Sequence, residues 1–111
     1  MTARMGLPVL PELRLEIAAP DVAEVSAAAA LLGDPVRAGI LALLGSGPRC
    51  VCEMASAMGE RQNNVSNHLA KLREAGLVRA SRLGSDSRRS YYERDEDGIA
   101  TARHALLDVL G

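Results

Sequence analysis

Apolar residues along this chain fall into short stripes at helical spacing, and Gly, Pro or Asp punctuates the gaps between them. The first stretch is the weakest. Residues 1–19 carry Pro8, Pro11 and only a faint period in 13–17, which predicts an N-terminal arm with room for one short helix, ahead of a single domain over 20–111. From Pro20 the signals sharpen. Asp21 is a capping residue for a helix with Val22, Val25, Ala29 and Leu32 inward, stopped by Gly33. Asp34 at the N-cap and Pro35 in the first helical position start the next helix, whose stripe is Val36, Ile40, Leu43 and Leu44. The turn Gly45-Ser46-Gly47-Pro48 leads to a short helix, Val51–Met58, with Met54 and Met58 on one face and Gly59 at its end. Residues 63–75 form a further helix through Val65, Leu69 and Leu72, closed by Gly76. Residues 77–83 and 88–94 read as two strands joined by a turn at 84–87, and a last helix turns Ile99, Ala102, Leu106 and Val109 inward.

Two helices joined by a short turn and followed by a basic two-stranded ribbon form a helix-turn-helix with a wing. The expected fold class is therefore mainly α with a two-stranded β-hairpin wing. Helix 63–75 commits Val65, Leu69 and Leu72 to the core, so its other face shows Asn63, Asn64, Asn67 and Lys71, with Gln62 and Ser66 near its start. Asn and Gln amides can bond adenine bidentately in a major groove, and a helix N-terminus favours phosphate. Arg82, Arg88 and Arg89, around the turn, would reach the DNA backbone or the minor groove. His68, beside Leu69, is a phosphate contact or a helix-packing residue.

Composition narrows the classes. The net charge of −1 hides a segment, 61–94, with eight Lys or Arg against three Asp or Glu. Such a segment binds a polyanion locally or is an ordinary solvated face, and charge alone favours the second. The only aromatic residues are Tyr91 and Tyr92, so a reader of single strands by base stacking is not expected. The longest apolar run, 27–32, is too short to cross a bilayer, and residues 1–20 hold no run of signal-peptide length, so a cytoplasmic protein is expected without a membrane partner. Two cysteines one residue apart, Cys50 and Cys52, make no disulfide framework.

The runs LLGDPVR (31–37), CVCE (50–53), NVSNHLAKLREAGLV (64–78) and RSYY (89–92) together resemble the ArsR/SmtB family of metal-responsive repressors, over about residues 20–110. The resemblance implies a homodimer built on the first and last helices. It also implies binding to a double-stranded DNA operator without effector, and release when the effector binds. The chain departs from the family at Arg61, where Ser is usual. Arg offers no acceptor to cap a helix, which moves the expected cap to Asn63.

Cys50 and Cys52 resemble the thiolate pair that thiophilic family members carry at the start of the same helix. Within a helix, residues i and i+2 lie about 200° apart and cannot share an ion, whereas in an extended segment they lie on one side. Metal binding by this pair therefore predicts that 49–52 is not regular helix. The alternative is two small buried apolar residues. The family's arsenite sensors often carry a third Cys where this chain has Ala55, and its cadmium and lead sensors recruit one from an arm that here has none. Three-coordinate arsenic then needs a thiolate from the other subunit, a small thiol, a halide or water. Zinc or cadmium would add Glu53, a His or water. Arsenite or antimonite is the favoured effector, then cadmium or zinc. A second candidate site, Asp97, His104 and Asp108 in the last helix, would suit nickel or zinc, although its spacing departs from the family pattern and a solvated face explains it better. A thiol-redox regulator using Cys50 and Cys52 ranks below metal binding because the ring it closes is small. An enzyme is not expected: a thiol oxidoreductase would want Cys-x-x-Cys, a βαβ pattern and a paired base. A protein-binding winged helix would leave the amide-rich helix and the basic wing unexplained.

Overall fold

The computed structural model describes residues 11–82 and 89–110, with side chains from residue 22 onward. Among these residues the order is α1 (Pro11–Leu32), α2 (Pro35–Leu44), β1 (Arg49–Cys50), α3 (Val51–Met58), α4 (Gln62–Glu74), β2 (Val78–Ala80), β3 (Tyr91–Arg94) and α5 (Glu96–Leu110).

The helix predicted to start at Asp21 starts at Pro11 and runs through Pro20. Pro20 removes one helical N–H but does not end the helix, because Glu, Leu, Arg and Ala before it are strong helix formers. The inward face also differs from the predicted one. Ala28 is buried and Val25 and Leu31 are half-buried, whereas Val22, Ala29 and Leu32 are exposed. Ala28 and Leu31 face α5 and the junction at Leu77. Val109, also expected inward, is 51% exposed, and Ala105 takes the buried place on α5.

After Gly33 the chain turns by 89° into α2. Asp34 caps this helix as its sequence predicts: Oδ1 accepts from the Val36 N–H at 2.8 Å and the Arg37 N–H at 3.3 Å, with Pro35 in the first turn. Helices α2, α3 and α4 enclose the core, where Ile40, Met54, Val65 and Leu72 are fully buried. Each contributes about 1.5–3 kcal/mol by leaving water. The wing is part of a three-stranded antiparallel sheet in the order β1-β3-β2. Arg49 pairs with Tyr92 and Cys50 with Tyr91, so the strand before α3 is an unpredicted third member. Strands β2 and β3 are shorter than expected, and the predicted turn at 84–87 lies outside the described residues. Across the ladder Arg79 faces Glu93, and their side chains pair at 2.8 Å. Hydrogen bonds from Arg79 and Ser81 hold the Glu93 carboxyl below its usual range.

Helix α4 ends at a left-handed Gly76 (φ 81°), with the Leu77 N–H donating to the Leu72 carbonyl at 3.0 Å. The first turn of α5 sits on this junction. Asp95 Oδ1 accepts from the Gly98 N–H, and Gly98 lies so close to Gly76 that a Cβ on it would overlap the Gly76 carbonyl oxygen.

Candidate nucleic-acid interface and thiol site

Helix α4 begins one residue earlier than its sequence predicts, at Gln62. Arg61 occupies the N-cap position with extended backbone (φ −78°, ψ 144°) and makes no side-chain cap bond, so Asn63 is not the cap but a first-turn residue. Arg61 can adopt the required dihedrals, although it has no acceptor to offer. The Arg61 side chain thus satisfies none of the first-turn N–H groups, the donors that an anion meets at a helix start. Gln62, Asn63, Ser66, Asn67 and Lys71 are exposed along one side of α4. Asn64 is half-buried and donates to Glu60 Oε1 at 2.8 Å. Arg82 and Arg89 are exposed beyond the inner ends of β2 and β3, and Arg88 lies outside the described residues.

His68 turns inward. The Arg37 guanidinium donates to His68 Nδ1 at 3.1 Å, while Nε2 lies 3.8 Å from Asp34 Oδ1. Since Arg can only donate, Nδ1 is the acceptor and the ring proton sits on Nε2, facing Asp34. This is the helix-packing role, not the phosphate contact. Arg37 also donates to the carbonyls of Leu31 (2.7 Å) and Ala30 (3.1 Å), tying the last turn of α1 to the middle of α4. Desolvation pushes the Asp34 carboxyl up, but the Arg37 and Val36 N–H groups, with His68 and the Arg37 charge, outweigh it and hold the group below its ordinary value. Sequence reasoning missed Arg37 as a tie; its place three residues after a capping Asp was the available signal.

Cys50 is extended (φ −87°, ψ 165°) at the N-cap of α3, and Cys52 lies in the first turn. The expectation that 49–52 lies outside regular helix holds at Arg49 and Cys50 but not at Val51 and Cys52, which open α3. The two residues form a Cys50–Cys52 disulfide with Cα atoms 5.4 Å apart. That separation lies within the ordinary disulfide range. Cys50 Sγ also accepts from the Glu53 N–H at 3.3 Å, and the Glu53 carboxylate accepts from the Cys50 N–H at 2.9 Å, a reciprocal capping box with sulfur in place of a hydroxyl. Cys50 is buried and Cys52 half-buried. Beside them opens a concavity of about 340 Å³ lined by Cys50, Val51, Cys52, Gln62, Arg89 and Ser90. When reduced, two sulfurs on one side of the helix start fit a soft ion, and a helix N-terminus favours thiolate. No group of three His, Cys, Asp or Glu converges anywhere among the described residues. His104 and Asp108 approach to 3.4 Å on the exposed face of α5, and Asp97 does not complete a triad with them.

Residues 34–80 match the bacterial regulatory protein family arsR. A transcriptional repressor SmtB homolog of Synechocystis is 31% identical over 102 residues, which cover 92% of this chain and 73% of that protein. The chain belongs to the ArsR family. Among its ArsR relatives, the arsenical resistance operon repressor of Escherichia coli is 45% identical over 49 residues, 43% of this chain and 42% of that protein, so the similarity spans less than half of that relative's length. The homodimeric winged helix-turn-helix DNA-binding domain of a Mycobacterium bovis protein superposes with a TM-score of 0.58 at 31% identity, covering 94% of this chain and 88% of that one. ArsR proteins are DNA-binding transcriptional regulators, not enzymes, and the fold is the family's winged helix-turn-helix. No single helix among the described residues is long and apolar enough to cross a membrane.

Proposed function

We propose that this protein is a dimeric, cytoplasmic ArsR-type repressor that leaves its operator when Cys50 and Cys52 capture a soft ion, arsenite or antimonite ahead of cadmium or zinc. One observation carries the reading: both sulfurs lie on one side at the start of α3, the first helix of the DNA-reading pair, in a concavity shared with Gln62 and Arg89. Exposed Gln62, Asn63, Ser66, Asn67 and Lys71, with Asn64 beside them, face the bases of a double-stranded operator. Arg82, Arg88 and Arg89 hold its backbone, and His68 positions the helix through Arg37. A bound ion shares the Cys50 sulfur with the Glu53 N–H, so effector capture acts on the atom that caps α3. Release follows when the effector binds the DNA-free form more tightly, and a coupling of a few kcal/mol suffices.

Val22 and Leu32 on α1, with Leu107, Val109 and Leu110 on α5, are exposed apolar residues suited to a second copy, and the M. bovis relative is homodimeric. The operator is then a pseudo-palindrome with half-sites about one helical turn apart. A second reading, a thiol-redox switch, is favoured by the pairing of Cys50 with Cys52.

Fluorescence anisotropy on DNA from upstream of the gene tests both. Release of the reduced protein by arsenite or cadmium supports the thiolate site. Release by nickel or zinc alone moves sensing to Asp97, His104 and Asp108. Release by oxidation without any ion supports the redox switch.

A further inference from the structure

A trivalent arsenic centre takes three donors, and this chain can give it two sulfurs. The sequence has no third cysteine. Glu53, the nearest carboxylate, is engaged by the Cys50 N–H at 2.9 Å, and no third His, Cys, Asp or Glu converges on the pair among the described residues. A second copy does not supply the missing sulfur either. The exposed apolar residues that suit a partner lie on α1 and α5, whereas the cysteines lie at the β1–α3 junction, packed against α2, α4 and β3. The concavity beside the sulfurs has the volume of a small-molecule site. Arg89, Gln62 and Ser90, residues with guanidinium, amide and hydroxyl side chains, line it beside the two cysteines. Such a wall complements a carboxylate joined to a soft donor rather than a bare ion.

We propose that this concavity seats a low-molecular-weight thiol bearing a carboxylate, whose sulfur completes the coordination of trivalent arsenic held by Cys50 and Cys52 and whose carboxylate is bound by Arg89, with Ser90 and Gln62 as further donors. The proposal rests on the effector reading above and names the co-ligand of that site. Each arsenic–sulfur bond forms as one thiol proton and one arsenic-bound hydroxyl leave together as water. Three thiols thus replace three hydroxyls with no change of oxidation state and no added oxidant. The seated thiol also occupies Gln62 and Arg89, two groups that the DNA needs. Release is then direct competition for those side chains as well as a change at the helix start.

The test uses the reduced full-length protein, with arsenite titrated in the presence of 2-mercaptoethanol, mercaptoacetate, cysteine or glutathione. Binding is read by the sulfur-to-arsenic absorption band, composition by native mass spectrometry, and coordination by X-ray absorption. The three carboxylate thiols are expected to tighten arsenite binding at least tenfold over 2-mercaptoethanol, to give a ternary mass, and to give three sulfurs around arsenic. The spread among the three tells an amino acid from a peptide source. Arg89→Gln, its fold checked by circular dichroism, should abolish the difference between carboxylate and neutral thiols, and Arg89→Lys should restore part of it. Equal affinity with all thiols overturns the proposal, as does three-sulfur coordination with no thiol added, which would bring a partner's cysteine into the site. If arsenite binds Cys50→Ser/Cys52→Ser as well as the native chain, the effector reading itself fails, and this result is separate from either of the others.

Discussion

Gly98→Ala sets two effects of opposite sign against each other. Gly98 lies in the first turn of α5, where replacing Gly by Ala ordinarily stabilises a helix by about 1 kcal/mol. Here the added methyl would overlap the Gly76 carbonyl oxygen, lie 2.8 Å from the Gly76 carbonyl carbon and stand 3.6 Å from Leu77 Cα. All three are backbone atoms at a left-handed turn, so no side chain can rotate away, and α5 must retreat. Its retreat loosens Leu77 and Ala105, which are buried at this junction. Overpacking a tight site costs about 1–3 kcal/mol, and a clash against backbone belongs at the top of that range, which outweighs the helix gain. A net loss of about 1–2 kcal/mol lowers the melting temperature of a domain this size by roughly 4–16 °C. Thermal denaturation followed by circular dichroism at two protein concentrations measures the loss and its dependence on self-association. An unchanged or raised melting temperature would refute the steric reasoning and leave helix propensity in charge.

Four further outcomes follow from the same structure. Cys50→Ser/Cys52→Ser should keep operator affinity within about twofold and lose release by arsenite, since Ser also caps; anisotropy with and without arsenite checks this. Arg89→Gln in a dimer removes two phosphate contacts and should flatten the slope of log affinity against log salt by about 1.8, read from titrations at several salt concentrations. Arg37→Leu removes the donors that join α1 to His68, costing about 1–3 kcal/mol, and operator affinity should fall with it; chemical denaturation and anisotropy report the two losses. The Asp34 carboxyl is held low in the folded state, so the stability it confers is present above the ordinary carboxylate range and lost as pH falls through its lowered value. Asp34→Asn, which still caps, should make that acid loss shallower in denaturation curves taken from neutral to low pH.

The sequence made most of the architecture legible where local chemistry is decisive. Asp34-Pro35 marks the start of α2, Gly59 and Gly76 mark the ends of α3 and α4, and the 65–69–72 stripe names the buried face of the reading helix. Features that depend on distant partners were not legible. β1 is two residues long and exists because Tyr91 and Tyr92 lie opposite it, so no periodicity announces it. The start of α1 was misplaced because Pro20 looks like a boundary in isolation. Its inward face was misjudged by one residue because an Ala-rich helix has no strong apolar side to read. At the candidate site, the extended backbone at Cys50 was foreseen as a condition for chelation, whereas the disulfide was ranked low on ring size alone. The turn of His68 toward Arg37 follows from how α2 crosses α4, which no local pattern records.

Cys50 performs for α3 the task usually given to a serine or threonine, with Glu53 completing the exchange. Serine in its place would supply a hydroxyl acceptor to the same N–H and leave the helix start intact, while removing half of the proposed soft-ion site. Cysteine and serine codons differ by a single nucleotide. On the proposed reading, sensing is lost or regained by one substitution that the fold scarcely registers, and a repressor silenced in this way persists as a permanent lock on its genes rather than as an unfolded relic.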